Sequence, residues 1–195
     1  MLSISVIVTT YNRPAALTLV LRALAAQTQF NFEVIIADDG STAETHQVIQ
    51  ELQPTLPYLL QHIWQEDNGF RAARVRNLAL TVAQGEYLIF LDGDCIPQPQ
   101  FIARHSQLAE PGWFIAGNRI LLSEPFTARV IQQQLPLWSW HPRHWLLPYL
   151  RRDINRLLPL LPLPDGALRK RHPYQWQGAK TCNLAAWYKD ILKIN

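Results

Sequence analysis

The side chains best suited to chemistry lie in short polar clusters, each following a run of β-branched or apolar residues. Asp92-Gly93-Asp94 follows Tyr87-Leu88-Ile89-Phe90-Leu91, and Asp38-Asp39-Gly40-Ser41 follows Glu33 to Ala37. Thr9-Thr10-Tyr11-Asn12-Arg13 follows Ile4 to Val8. Two carboxylates flanking a glycine have the composition of a hard-cation site, because carboxylate oxygens suit Mg²⁺ or Mn²⁺, which keep waters and bridge to phosphates. Asp38 and Asp39 have two readings: turn and helix-cap chemistry, or a carboxylate that accepts from a base N–H or a ribose hydroxyl. Arg71, Arg74 and Arg76 open a further helical stretch, and arginines at a helix start suit a phosphate-bearing ligand. Arg74 reads as a solvated surface residue.

These clusters need a frame that brings them to one edge. Strand-like runs at Ile4–Val8, Glu33–Ala37, Leu59–Trp64 and Tyr87–Leu91 alternate with helical patterns at Pro14–Gln27, Ala43–Leu52 and Arg71–Ala83. Such alternation implies a mainly parallel α/β sheet with helices on both faces, and in such sheets ligands bind at the carboxyl ends of the strands. A further helix over Gln98–Leu108 and a strand over Trp113–Leu122 are expected. Desolvating a carboxylate is costly, so acidic residues at the ends of buried strands call for a cation or for donors.

From Pro125 the texture changes. Eight of the 14 prolines and four of the seven tryptophans lie between Pro125 and Trp176. The +3 net charge is local too: segment 141–172 carries seven basic residues against Asp153 and Asp165, an excess of +5. This segment reads as a helical insertion: either a lid packed on the main body, or a surface that lies on a membrane or covers an acceptor. The domains expected are an α/β core over 1–124, a helical insertion or lid over 125–174 and a short final part over 175–195.

The 195 residues are 48% hydrophobic and 17% charged, enough for a real core, which excludes disordered and fibrous classes. Two cysteines make no disulfide framework, and no apolar run reaches the roughly 18 residues of a membrane span. The expected setting is cytoplasmic, with peripheral contact at the inner face of a membrane through 135–172. G-x-G-x-x-G and P-loop signatures are absent, and basic residues interleaved with Leu and Pro argue against nucleic acid as a partner.

In this order the blocks resemble family 2 glycosyltransferases of the GT-A fold. The resemblance rests on Ser5–Arg13, Ile36–Ser41, Gly69–Ala79, Gly85–Asp94 and Gly178–Ala185, and spans roughly 3–124 and 175–195. It implies an inverting transferase that takes a sugar from a nucleoside-diphosphate sugar, most often a UDP-sugar, to a saccharide or lipid-linked acceptor. Carried over, Thr9, Tyr11 and Arg13 border the nucleoside; Asp39, with Asp38 beside it, accepts from the base; Arg71 or Arg76 contacts the nucleotide. Asp92 touches the ribose or a metal water, and Asp94 ligates Mn²⁺ or Mg²⁺.

The family's general base lies in an acidic motif shortly after the strand that matches Asn183-Leu184-Ala185. Here the sequence ends at Ile191-Leu192-Lys193-Ile194-Asn195, and Asp190 is the one carboxylate after Asp165. The resemblance thus implies a chain truncated before its catalytic base, which is expected beyond Asn195, and holding the donor half of the site. A degenerate, non-catalytic sugar-nucleotide-binding module is the alternative. A nucleotidyltransferase would want a glycine-rich basic loop where Thr9–Pro14 stands.

Overall fold

The computed structural model describes residues 2–161 and 178–194. Strands β1 (Ile4–Thr10), β2 (Phe32–Asp38), β3 (Leu60–Trp64), β4 (Tyr87–Asp92), β5 (Ile115–Ala116) and β6 (Asn183–Trp187) form one sheet in the order β3-β2-β1-β4-β6-β5. The first four are parallel; β6 runs antiparallel to both of its neighbours. Continuous apolar runs such as Val6-Ile7-Val8 and Val34-Ile35-Ile36 are what a strand covered on both faces requires, and these residues are fully buried.

Because side chains alternate along a strand, each run feeds two cores. Val6, Val8, Val34, Ile36, Ile89 and Leu91 face α1 (Pro14–Ala25), which presents Leu17, Val20, Leu21 and Leu24 at helical spacing. The same layer takes Ile49 of α2 (Ala43–Leu52) and Ile102 of α4 (Phe101–Leu108). On the opposite face Ile7, Ile35, Leu88 and Phe90 meet Val75, Ala79 and Leu80 around α3 (Ala72–Leu80), with Ile191 of α7 (Tyr188–Ile191) at the margin. The expected α/β layering with helices on both faces is therefore present.

Helices α1 and α3 end at Ala25 and Leu80, short of the expected Gln27 and Ala83, and two further differences have identifiable causes. Helix α4 begins at Phe101 instead of Gln98, since Pro99 disfavours helical geometry at the residue before it. The carbonyls there are taken by neighbours instead: Gln27 Nε2 donates to Gln98 O at 2.9 Å, and Thr28 N to Pro99 O at 2.9 Å. The expected strand over Trp113–Leu122 shrinks to Ile115–Ala116. At Gly117 the side chain of Asn183 crosses the backbone, so closely that a Cβ there would sit 2.1 Å from Asn183 Nδ2. Pairing stops, and Leu122 makes only an isolated bridge to Ile154.

Beyond it, α5 (Glu124–Gln132), α6 (Leu146–Leu150) and short 3-10 turns build a third cluster. Phe126, Val130, Leu137, Trp145 and Ile154 pack there with Leu19 from the outer side of α1. Residues 162–177, which include Arg169, Lys170, Arg171 and Trp176 of the basic, Trp-rich segment, lie outside the described residues.

Candidate functional site

Parallel register places the polar clusters on one edge. Thr10 lies opposite Asp38, Asp38 opposite Trp64, and Thr9 opposite Asp92, so the carboxyl ends of β1 to β4 finish together. Three small hydrogen-bonded groups occupy that edge.

The first is built on Asp38, which is 1% exposed. One carboxylate oxygen accepts from Ser41 N at 2.8 Å, and the other lies 3.0 Å from His62 Nε2. Burial pushes the Asp38 carboxyl up, but the hydrogen bonds from His62 and Ser41 outweigh it and hold the group below its ordinary range. Ser41 in turn accepts from Asn12 N at 2.9 Å, and Asn12 Oδ1 accepts from Thr42 N at 2.9 Å. Asn12 takes a left-handed conformation (φ 49°), one that Asn tolerates better than most residues. The β1–α1 and β2–α2 loops are thereby locked to each other.

The second is built on Asp39, buried at 4% exposure. Its carboxylate accepts from Arg71 N at 2.9 Å and from Gln65 Nε2. Arg74 Nη1 donates to Gln65 Oε1 at 2.6 Å. Arg74, expected to be merely solvated, thus orients the residue that orients Asp39. The Arg71 side chain bonds Glu66 O, while its buried Nε has no hydrogen-bond partner among the described residues. At the rim Tyr11 donates to Asp67 Oδ2 at 2.9 Å, and that carboxylate pushes the exposed phenol up. Gly40 (φ 97°) lets Asp67 approach so closely that a Cβ would lie 2.6 Å from its backbone nitrogen.

The third joins Thr9, Arg76 and Asp92. Arg76 Nε donates to Thr9 Oγ1 at 2.7 Å, and Nη2 lies 3.3 Å from Asp92 Oδ1. Burial pushes the Asp92 carboxyl up, and neighbouring Asp94 adds to the effect against Arg76 and Arg119. Gly93 N donates to Thr9 O at 2.7 Å, so the turn carrying Asp94 folds back on β1. Asp94 itself is exposed, as is Arg13 at the start of α1.

Two half-buried or exposed carboxylates on one tight turn fit a hard divalent cation. Buried polar atoms lacking a partner, Arg71 Nε and Thr10 Oγ1, lie on the same edge and are the kind of donor a ligand satisfies. Gln65, His62 and Asp67 are the members that motif reading missed. Gln65 had one available signal: it follows a strand, as the recognised clusters do.

Asp190 falls elsewhere. Because β6 is antiparallel, Asn183 lies beside Leu91 at the site edge while Trp187 lies beside Tyr87 at the opposite end. Tyr188 N donates to Glu86 O at 2.9 Å, which fixes α7 and Asp190 at the amino ends of the parallel strands. Asp190 there pairs with Lys193 at 2.9 Å.

Fold and site together define an α/β domain of the GT-A type. A solved mannosyltransferase, PcManGT from Pyrobaculum calidifontis, in complex with GDP-Man and Mn²⁺, superposes with a TM-score of 0.55 at 24% identity, covering 66% of this chain and 38% of that one. The profile of glycosyl transferase family 2 matches residues 5–169, and the chain belongs to that family. It is 40% identical over 108 residues to the hyaluronan synthase of Pasteurella multocida, and 34% identical over 106 residues to the chondroitin synthase of Escherichia coli. Those matches cover 55% and 54% of this chain but only 11% and 15% of the two synthases.

Proposed function

We propose that this chain carries the donor half of a glycosyltransferase site, binding a nucleoside-diphosphate sugar, most consistently a UDP-sugar, together with Mn²⁺ or Mg²⁺. The observation that supports the reading is the convergence of Asp39, Asp92 and Asp94 on one sheet edge, each with a different environment. Asp39 is buried and held by Arg71 N and Gln65, so its direction is set before any ligand arrives. Such a preorganised acceptor suits the N–H of a base, with Tyr11, Arg13 and Asp38 bordering the nucleoside pocket. Asp92 accepts from Arg76, which is itself anchored on Thr9, an arrangement that suits contact with a ribose or a metal-bound water, and Arg71 or Arg76 offers charge to the nucleotide.

Asp94, exposed and beside Asp92, would ligate the cation. The cation's contribution when bound is Lewis-acid stabilisation of the departing diphosphate. The transfer inverts the anomeric centre, with the acceptor hydroxyl's proton taken by a carboxylate. Asp190, at the far end of the sheet, is not placed for that role. Acceptors that suit the reading are a saccharide or a lipid-linked saccharide. The domain division at 124 and 174 belongs to the same proposal, with the third cluster as the insertion's own core.

Calorimetric titration of the chain with UDP, with and without Mn²⁺, tests this. Binding should require Mn²⁺ and fall at least about tenfold in Asp94→Ala. Unchanged UDP affinity of that variant in Mn²⁺ would remove the site assignment. A non-catalytic sugar-nucleotide-binding module is the second reading. Sugar transfer by this chain from UDP-GlcNAc or UDP-glucose would eliminate it.

A further inference from the structure

Behind the acidic turn lies a second group of potential ligands, two of which, Cys95 and Cys182, the donor site does not use. Cys95 follows Asp94 on the turn after β4, and Cys182 immediately precedes β6. The antiparallel return of β6, with Asn183 opposite Leu91, carries Cys182 to the end of β4. One carboxylate oxygen of Asp92 and the two sulfurs all lie within 4.8 Å of one another. Both cysteines are free; Cys182 is 3% exposed and Cys95 is partly buried. Asp94 Oδ1 lies 3.6 Å from Cys95 Sγ, so a second carboxylate is within reach.

We infer that Cys95, Cys182 and Asp92 form a site for a thiophilic divalent cation of the Zn²⁺ class, built against the back of the acidic turn. Two sulfurs and one carboxylate oxygen are a donor set that Zn²⁺ accepts in tetrahedral geometry, with bonds of about 2.3 Å to sulfur and about 2.0–2.2 Å to oxygen. Ligands already within 4.8 Å need only small movements to close on such an ion. Mg²⁺ and Mn²⁺ prefer oxygen ligands and have little use for the thiols. The site therefore differs in kind from the diphosphate-associated one, although Asp92 belongs to both. Each thiol releases its proton to solvent when it ligates.

Arg119 interacts electrostatically with both sulfurs and with Asp92. Its charge repels an incoming cation but also favours the thiolates that the cation needs. A purely packing role for the cysteines predicts no thiolate-to-metal bond.

The test uses the whole chain under a phosphine reductant, without nucleotide, so its outcome stands apart from the donor-site reading. Titration with Cd²⁺ should show one equivalent bound with ultraviolet thiolate-to-metal charge-transfer absorption. Zn²⁺ should compete for that equivalent in the presence of a chromophoric chelator. Cys95→Ser should lower the affinity by at least about tenfold. Cys182 is buried, and Cys182→Ser is informative only if its thermal unfolding stays cooperative; the wild-type absorption and the Cys95→Ser titration decide without it. Absence of the thiolate band in the wild type, or unchanged Cd²⁺ affinity in Cys95→Ser, overturns the assignment.

Discussion

At the scale of single residues, the site's acidic groups share a side-chain type and differ in what surrounds them. Asp38 accepts hydrogen bonds on two sides and serves as a clasp between loops. Asp39 holds the entrance to α3, and Asp94 stands in solvent. A sequence shows Asp-Asp and Asp-x-Asp but not which member is buried, because burial depends on register with strands far along the chain. Arg74 is exposed, as a solvated surface residue should be, but its guanidinium also reaches Gln65 across the β3–α3 loop, which the sequence does not show. Arg74→Ala should therefore weaken UDP binding a few-fold, about 1 kcal/mol, through the loosened Gln65–Asp39 pair, with little change in thermal stability. Equal loss of stability and affinity would mean that Arg74 acts on the fold alone.

His105 gives the residue scale its pH dependence. It is buried on α4, and Asn183 Oδ1 lies 2.9 Å from its Nε2. Burial lowers its pKa from 6.5 to about 4, only partly opposed by Asn183. The unfolded chain therefore binds a proton that the native state refuses. Stability is fully present above about pH 6.5 and drains away as pH falls toward 4, by up to about 3 kcal/mol. Urea unfolding across this range should show that slope, and His105→Gln should flatten it.

At the scale of elements, strands and helices of the first hundred residues were legible because period and punctuation agree. Pro14 opens α1 where a helix tolerates proline, and the bounds of α2 match the sequence pattern. The larger errors came from a proline that delays the start of α4 and from a distant side chain that stops strand pairing, as Asn183 does at Gly117. The amino edge of the sheet carries another long-range device absent from the motif reading. Buried Glu33 accepts from Ser5 Oγ at 2.7 Å, Gln84 N at 2.6 Å and Gln61 Nε2 at 3.1 Å, tying β1, β2, β3 and the entry to β4. Glu33→Ala would strand several buried donors and should cost about 2–3 kcal/mol in urea unfolding while leaving Mn²⁺-dependent nucleotide binding intact. A change below about 0.5 kcal/mol would show that water replaces the carboxylate.

At the scale of the whole molecule, the third cluster faces outward as well as inward. Leu146, Leu147 and Leu150 on α6 are 54%, 53% and 69% exposed, beside exposed Arg143, Arg151 and Arg152. Among the described residues no helix is long and apolar enough to cross a membrane. Apolar residues rimmed by arginines suit shallow contact with an anionic bilayer, and we propose peripheral attachment through this face. Co-sedimentation with phosphatidylglycerol vesicles should be strong at low salt and fall severalfold in a Leu146→Ser/Leu147→Ser/Leu150→Ser variant. Equal partition of variant and wild type would exclude this face as the anchor. Composition alone located the segment; its three-dimensional sidedness required the packing of Phe126, Val130 and Trp145 beneath it.

The sheet's order has a consequence for biosynthesis. β4 pairs on one side with β1, made long before it, and on the other with β6, nearly a hundred positions later. While ribosomes extend the intervening stretch, the β4 edge that β6 will occupy has no permanent companion, and open edges recruit other chains. Slow translation between the two, or nicking within that interval, should yield nascent polypeptides dependent on chaperones, and a polypeptide ending near position 160 should aggregate where the longer one stays dispersed.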